Sequence, residues 1–229
     1  MRLYEIINFE PKDSKSTERK HLNNIMTKTN AKQLGSGHFS KVLGPQDGAD
    51  GKRMNQVHKV GRAGNLVQGT NDVKEVAGDG YLLYLKAIHD YEQKGGQNPY
   101  FPRILNLTIR RKTDGNLYYT ADIEKLYPFQ NSKIVTNTDL MKSLYEQMFN
   151  DDGSRGKYDG NANEFVQKIE HAIDGHGLPY IKDKKLLEAI NVVRQVNSKE
   201  KFLNDMHIGN IMWRITGNMP QLVITDPLS

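Results

Sequence analysis

The most informative stretch of this chain reads Asn204-Asp205-Met206-His207-Ile208-Gly209-Asn210-Ile211-Met212, and after a short turn it continues with Leu222-Val223-Ile224-Thr225-Asp226-Pro227. The apolar runs beginning at Ile211 and Leu222 indicate two short strands joined by a turn. Such a hairpin would bring Asn210 and Asp226 together. An Asp at the end of a strand is usually a cap or turn residue. Here, however, Asp205 and Asn210 have the spacing Asp-x-His-x-Gly-Asn, and Asp226 follows the second strand.

These polar residues are of the types that phosphoryl transfer from a nucleotide requires. One carboxylate can orient an acceptor hydroxyl, while a second carboxylate and an amide oxygen can hold Mg²⁺ on the phosphates. Asp205 is therefore the predicted catalytic base, and Asn210 and Asp226 are the predicted magnesium ligands. His207 and Gly209 are expected to shape the loop between them.

A second pattern lies near the beginning of the chain. Residues 33–42 predict a strand, a glycine turn and a returning strand, which suits a backbone that covers phosphates. Ser40 replaces the third glycine of the pattern G-x-G-x-x-G-x-V. An ordinary β-hairpin could have the same sequence pattern. The predicted nucleotide-binding residues of this segment are Gly35, Ser36, Gly37, His38, Phe39, Ser40 and Val42.

Lys59 is the third predicted site residue. It lies in the short strand pattern Val57-His58-Lys59-Val60, from which its ammonium group could reach the α- and β-phosphates. Lysines on strands otherwise mostly protect sheet edges. The helix predicted from Asp72 to Tyr91 should carry an acidic partner for Lys59, and the sequence leaves open whether this is Glu75 or Asp79.

The remaining pattern predicts an α+β protein. Strands are expected at 104–110 and 117–123, and helices at 139–149, 164–172 and 183–196. We therefore expect an arm or helix at 1–30, a small antiparallel sheet with one helix at 31–125, and a reduced, mainly helical part at 126–229. At the junction, the backbone of Glu124 and Leu126 could offer a carbonyl and an N–H to an adenine edge.

Composition excludes several classes of site. None of the 229 residues is a cysteine, so disulfides, thiolate zinc sites and cysteine nucleophiles are excluded, and a reducing cytoplasm fits. No apolar run reaches membrane-spanning length, and the N-terminus lacks the pattern of a signal peptide. The net charge of +5 favours acidic protein partners or phosphates, whereas direct nucleic-acid binding is not expected.

Together these motifs resemble those of the protein-kinase-like superfamily, in particular the early serine/threonine kinases of lytic short-tailed coliphages. The resemblance is carried by Leu34–Ser40, Asp205–Met212 and Ile224–Pro227, in kinase order. It implies a two-lobed kinase fold that uses ATP and Mg²⁺. It also implies an early phage protein in the cytoplasm of the infected bacterium that phosphorylates host proteins on serine or threonine. RNA polymerase and RNA-processing enzymes are among the implied partners, and shutoff of host transcription among the implied roles.

The sequence departs from the kinase pattern after Asp226, where Pro227-Leu228 replaces Phe-Gly and the sequence continues only to Ser229. An acceptor site therefore cannot be read from it, and whether the chain is of native length or a fragment stays open, as do oligomeric state and autophosphorylation. Two alternatives remain. One is a small-molecule kinase of the aminoglycoside or choline type, which shares the Asp-x-His-x-Gly-Asn loop. The other is a kinase-fold protein that inhibits a host enzyme by binding alone.

Overall fold

The computed structural model of the chain describes residues 32–36, 40–44, 56–65, 80–111, 116–150, 160–200, 204–217 and 219–228. Within these ranges the chain has two antiparallel sheets and five α-helices, which confirms the predicted α+β class. It divides into two compact units, of which one holds Met1–Leu82 with Arg103–Lys125 and the other holds Leu83–Pro102 with Leu126–Ser229. The predicted arm at 1–30 lies outside the described residues.

The second unit includes the segment Leu83–Pro102, which precedes two strands of the first unit. Hydrogen bonds connect this segment to later parts of the second unit. Tyr84 bonds to Ile224, and Tyr91 bonds to Glu188.

The sheet of the first unit has five strands in the order β1-β2-β3-β5-β4, each antiparallel to its neighbours. The strands are β1 (Lys32–Ser36), β2 (Ser40–Gly44), β3 (Gln56–Asn65), β4 (Ile104–Arg111) and β5 (Asn116–Glu124). Every strand predicted for this part of the chain is present, and β3 runs well beyond the predicted Val57–Val60.

Strand β5 contributes large side chains to the core of this unit. It is rich in aromatic and β-branched residues, which favour strands. Its Tyr118 is buried in a cluster with Leu43 and Val60. The neighbouring Tyr119 lies against Gly61, where a Cβ atom would collide with the tyrosine ring. The sheet thus requires glycine at that point of β3.

The helices owe their positions to apolar faces at helical spacing. They are α1 (Gly80–Gln93), α2 (Ser132–Val135), α3 (Thr138–Met148), α4 (Asn163–Ile173) and α5 (Lys184–Glu200), with 3₁₀ helices at Leu178–Tyr180 and Ile208–Asn210. The three predicted helices of the second part are confirmed. On α5 the buried face includes Leu186, Ala189 and Ile190, whereas Leu187 is half-buried.

A second sheet lies in the second unit, in the order β6-β7-β8. Its strands are β6 (Tyr127–Pro128), β7 (Ile211–Thr216) and β8 (Met219–Ile224). The predicted hairpin is confirmed, but its strands are longer than expected, so only residues 217 and 218 separate them. Trp213 anchors this sheet, because its indole N–H donates to the carbonyl of Phe129 at 2.8 Å and its ring stacks on the Phe129 ring.

Candidate functional site

The glycine-rich segment is only partly described. Gly35 and Ser36 end β1, and Ser40 and Val42 lie in β2, with Gly35 opposite Val42 in an antiparallel register. The two strands therefore pair as the predicted strand, turn and returning strand require. Gly37, His38 and Phe39, which the sequence predicts for the turn, lie outside the described residues.

Lys59 lies on β3 between the partner residues Val42 of β2 and Ala121 of β5. Its side chain is buried, with 7 % of its surface exposed, and its ammonium nitrogen lies 3.3 Å from the centroid of the Tyr81 ring on α1. A cation over an aromatic face is attracted by the ring quadrupole. No sequence pattern predicts this contact with Tyr81. Glu75 and Asp79, the two acids considered as partners of Lys59, lie outside the described residues.

The two residues predicted to contact adenine lie on either side of the unit boundary. Glu124 ends β5 and exchanges hydrogen bonds with Arg103, since its N–H donates to the Arg103 carbonyl at 3.1 Å and its carboxylate accepts from the Arg103 N–H at 2.9 Å. Leu126 is half-buried just before β6. The N–H of Glu124 is thus committed to the protein.

Asp205, Asn210 and Asp226 are brought together by three hydrogen bonds in the second unit. The N–H of Asp205 donates to the carbonyl of Pro227 at 3.0 Å, and the N–H of Thr225 donates to the carbonyl of Asn210 at 2.9 Å. The side-chain amide of Asn210 donates to the carbonyl of Asp205 at 2.8 Å. Each of the three predicted site residues is therefore fixed to the segment of another, and we call this arrangement the site frame.

The loop between Asp205 and Asn210 is shaped by His207, as the sequence predicts. The imidazole Nδ1 accepts a hydrogen bond from the N–H of Gly209 at 3.0 Å and so caps the 3₁₀ helix Ile208–Asn210. A Cβ atom at Gly209 would lie 2.8 Å from the His207 ring, closer than side-chain contacts allow. The pattern His-x-Gly-Asn therefore has a local structural cause.

The end of β8, just before Asp226, is held by residues that the sequence analysis did not identify. The N–H of Ile224 donates to the carbonyl of Tyr100 at 2.9 Å, and the carbonyl of Ile224 accepts from the hydroxyl of Tyr84 at 2.8 Å. Helical spacing to Ile88 could have assigned Tyr84 to the core. No sequence pattern could have named its hydroxyl's partner, which lies 140 positions away.

Arg214 of β7 holds the segment around Tyr100. Its guanidinium donates to the carbonyls of Pro99 and Phe101, each at 2.7 Å, and only 9 % of its surface is exposed. Planar guanidinium groups are suited to such paired contacts. The backbone around Tyr100, which bonds Ile224, is therefore itself clamped.

The pKa of the Tyr84 phenol is shifted by its surroundings. Complete burial is the main cause that raises its pKa well above the usual 10.0, and the negative charge of Asp226 raises it further. The Tyr84 hydroxyl therefore stays protonated and remains a hydrogen-bond donor throughout the physiological pH range.

The donor groups of the site frame suit Mg²⁺. Asp226 offers carboxylate oxygens, and Asn210 offers its amide oxygen, because the atom that contacts the Asp205 carbonyl must be the donating NH₂ group. Magnesium is commonly held by one or two protein oxygens together with substrate phosphates and water. Among the described residues no group of three or more His, Asp or Glu side chains converges, and a site of this kind does not need one.

Comparisons with known proteins add no relative: no protein-family model matches the chain, and no curated protein matches its sequence. None of the helices in the described part of the chain is long and apolar enough to cross a membrane.

Proposed function

We propose that this protein is an ATP- and magnesium-dependent serine/threonine protein kinase with a two-lobed, protein-kinase-like fold. The observation that carries the proposal is the site frame, in which three hydrogen bonds connect Asp205, Asn210 and the segment around Asp226. A base and two oxygen ligands for magnesium are the groups that phosphoryl transfer needs close together. The predicted lobes at 31–125 and 126–229 belong to this proposal.

In the proposed reaction the acceptor hydroxyl oxygen bonds to the γ-phosphorus of ATP, and the bond from that phosphorus to the ADP oxygen breaks. Asp205 orients the hydroxyl and takes its proton. When bound, Mg²⁺ neutralises charge on the phosphates, and Asn210 and Asp226 are the residues that would hold it. Phosphoryl transfer therefore needs no covalent attachment to the protein.

The proposed nucleotide-binding residues are Lys59, the glycine-rich segment, Glu124 and Leu126. Lys59 would bind the α- and β-phosphates, and its burial supports the role because a charge held away from water acts more strongly on a bound anion. The paired strands β1 and β2 would cover the phosphates through the segment from Gly35 to Val42. The backbone carbonyl of Glu124 and the N–H of Leu126 would contact the adenine.

The substrates proposed for the kinase follow from the resemblance to early phage kinases. They are host proteins of transcription, RNA processing and translation, modified in the cytoplasm of the infected bacterium, with shutoff of host transcription as the result. The positive net charge of +5 supports acidic protein partners.

The proposal is tested by incubating the purified protein with radiolabelled ATP, Mg²⁺ and host lysate. Asp205→Ala should lower labelling by about 10²–10⁴-fold, the usual cost of removing a positioned base, and Asp226→Ala should weaken magnesium-dependent nucleotide binding. Asp139→Ala, which removes an exposed acid from the first turn of α3, is the matched control and should label normally.

The same experiment separates the alternatives. Labelling of a small molecule but no protein would favour a kinase of the aminoglycoside type. Capture of a host enzyme that survives both Asp205→Ala and Asp226→Ala, without any labelling by the wild type, would favour a binding protein. Equal labelling by the wild type and both variants would overturn the catalytic assignment.

A further inference from the structure

The peptide group between Ile224 and Thr225, which lies one residue before Asp226, is held on both edges. Its carbonyl accepts a hydrogen bond from the Tyr84 hydroxyl at 2.8 Å, and its N–H donates to the carbonyl of Asn210 at 2.9 Å. Rotation of this peptide group would move Asp226, because the peptide is planar and rigid. Both hydrogen bonds therefore restrain the carboxylate.

The position of β8 explains why a side chain is needed on one of these edges. Strand β8 is an edge strand, and the N–H of its last residue, Ile224, donates to Tyr100 rather than to β7. In an antiparallel sheet the N–H and C=O of one residue point to the same side of the strand. The Ile224 carbonyl thus faces away from β7, and the Tyr84 hydroxyl bonds it there.

The surroundings of Tyr84 explain its ring and leave its hydroxyl to the bond with Ile224. Its side chain is fully buried, and its ring packs edge-on against Phe101 at a centroid distance of 6.2 Å. A phenylalanine would make the same ring contact. The hydroxyl is therefore accounted for by its bond to Ile224.

We propose that Tyr84 is a positioning residue for the metal site: its hydroxyl sets the orientation of Asp226 and thereby the affinity for magnesium. This inference rests on the proposed function, since it assumes that Asp226 binds the metal. It concerns magnesium in particular, because Mg²⁺ demands near-ideal octahedral geometry and dehydrates reluctantly. A less precisely oriented carboxylate should therefore lower the affinity for Mg²⁺.

The test compares Tyr84→Phe with the wild type in a binding experiment that needs no catalysis. Mn²⁺ is titrated into protein with a non-hydrolysable ATP analogue, free Mn²⁺ is measured by electron paramagnetic resonance, and Mg²⁺ affinity is obtained by competition. Loss of a group that orients a metal ligand typically costs 10–100-fold in metal affinity. We expect the Mg²⁺ affinity of Tyr84→Phe to fall by about 10-fold, and by more than its Mn²⁺ affinity.

The matched control is Tyr91→Phe, which removes a tyrosine hydroxyl from the same helix. That hydroxyl donates to Glu188 at 2.6 Å and not to β8. Tyr91→Phe should leave both metal affinities unchanged. Replacing Tyr84 by para-aminophenylalanine, which keeps a donor at the same position, should restore most of the Mg²⁺ affinity.

The possible outcomes are distinct. Partial unfolding of Tyr84→Phe would reduce the number of sites for both metals equally, so the ratio of the two affinities still reports on positioning. An unchanged ratio in Tyr84→Phe, with a wild type that binds metal and nucleotide, would overturn this inference alone. A wild type without nucleotide-dependent metal binding would overturn the proposed function and the inference with it.

Discussion

The amide of Asn210 shows how one side chain can both build and serve the site frame. Its NH₂ group is committed to the carbonyl of Asp205, so its oxygen is the end that can act as a ligand. A carboxylate in the same place would keep the ligand oxygen but lose the donor. The choice between Asn and Asp at this position therefore has a structural cause as well as a chemical one.

We expect Asn210→Asp to destabilise the protein. The new carboxylate oxygen would face the Asp205 carbonyl without a proton between them, and the loss of a paired donor costs about 1–3 kcal/mol. Urea denaturation measures the change in the free energy of unfolding. Asn137→Asp is the control, because Asn137 caps α3 only as an acceptor for the N–H of Leu140 and Asp caps equally well. Equal stability losses in the two variants would contradict this account of Asn210.

At the scale of elements, helix α5 is fixed at its beginning by one carboxylate. Asp183 accepts from the backbone N–H groups of Lys185 and Leu186 at 2.7 and 3.1 Å through one oxygen. Its other oxygen accepts from the hydroxyl of Tyr100 at 2.8 Å. The residue that starts the helix therefore also holds the loop whose backbone bonds Ile224.

Two substitutions should separate these contacts. Asp183→Ala removes the cap and the tyrosine contact, and we expect the free energy of unfolding to fall by about 2–3 kcal/mol, the sum of a cap and a hydrogen bond. Asp183→Asn keeps an oxygen for the cap and should lose about 1 kcal/mol. Thermal and urea unfolding would both show which of the two variants loses more stability. A loss in Asp183→Asn as large as in Asp183→Ala would show that the cap is not the main contribution.

The elements were the part of the structure most accessible from sequence. The spacing of Phe165, Ile169 and Ala172 predicts α4 because those residues share one face, and the apolar runs predict the hairpin that pairs Ile211 with Ile224. The contacts of Tyr84 and Arg214 could not be predicted. They are bonds from side chains to distant backbone carbonyls, and any residue type supplies such a carbonyl.

At the scale of the whole molecule, two buried phenols connect stability to pH. Burial is the main cause of the raised pKa of Tyr84, with the charge of Asp226 second. Burial also raises the pKa of Tyr100, and its hydrogen bond to Asp183 raises it further. Because the folded protein holds these protons more tightly than the unfolded chain, their contribution is complete below pH 10.0, the usual pKa. It is lost as the pH rises towards the folded values.

We therefore expect stability to decline above pH 10, by up to about 1.4 kcal/mol per pH unit for each phenol. The decline should be less steep in Tyr84→Phe, which has one buried phenol fewer. Urea denaturation at a series of alkaline pH values measures the slope, and ultraviolet absorbance detects tyrosinate as it forms. Identical slopes for the wild type and Tyr84→Phe would contradict the assignment of Tyr84 as a group that titrates on unfolding.

The site frame also bears on inhibitor design. Inverting the backbone around Asp226 would break the bonds that Tyr84, Asn210 and Asp205 make to the peptide groups on either side of it. At a net value of about 1 kcal/mol each, the inverted form would be disfavoured by about 3 kcal/mol, or about a hundredfold. A compound that recognises only the inverted segment would lose that factor in apparent affinity. Compounds selected to bind the segment in its present conformation would not lose this affinity.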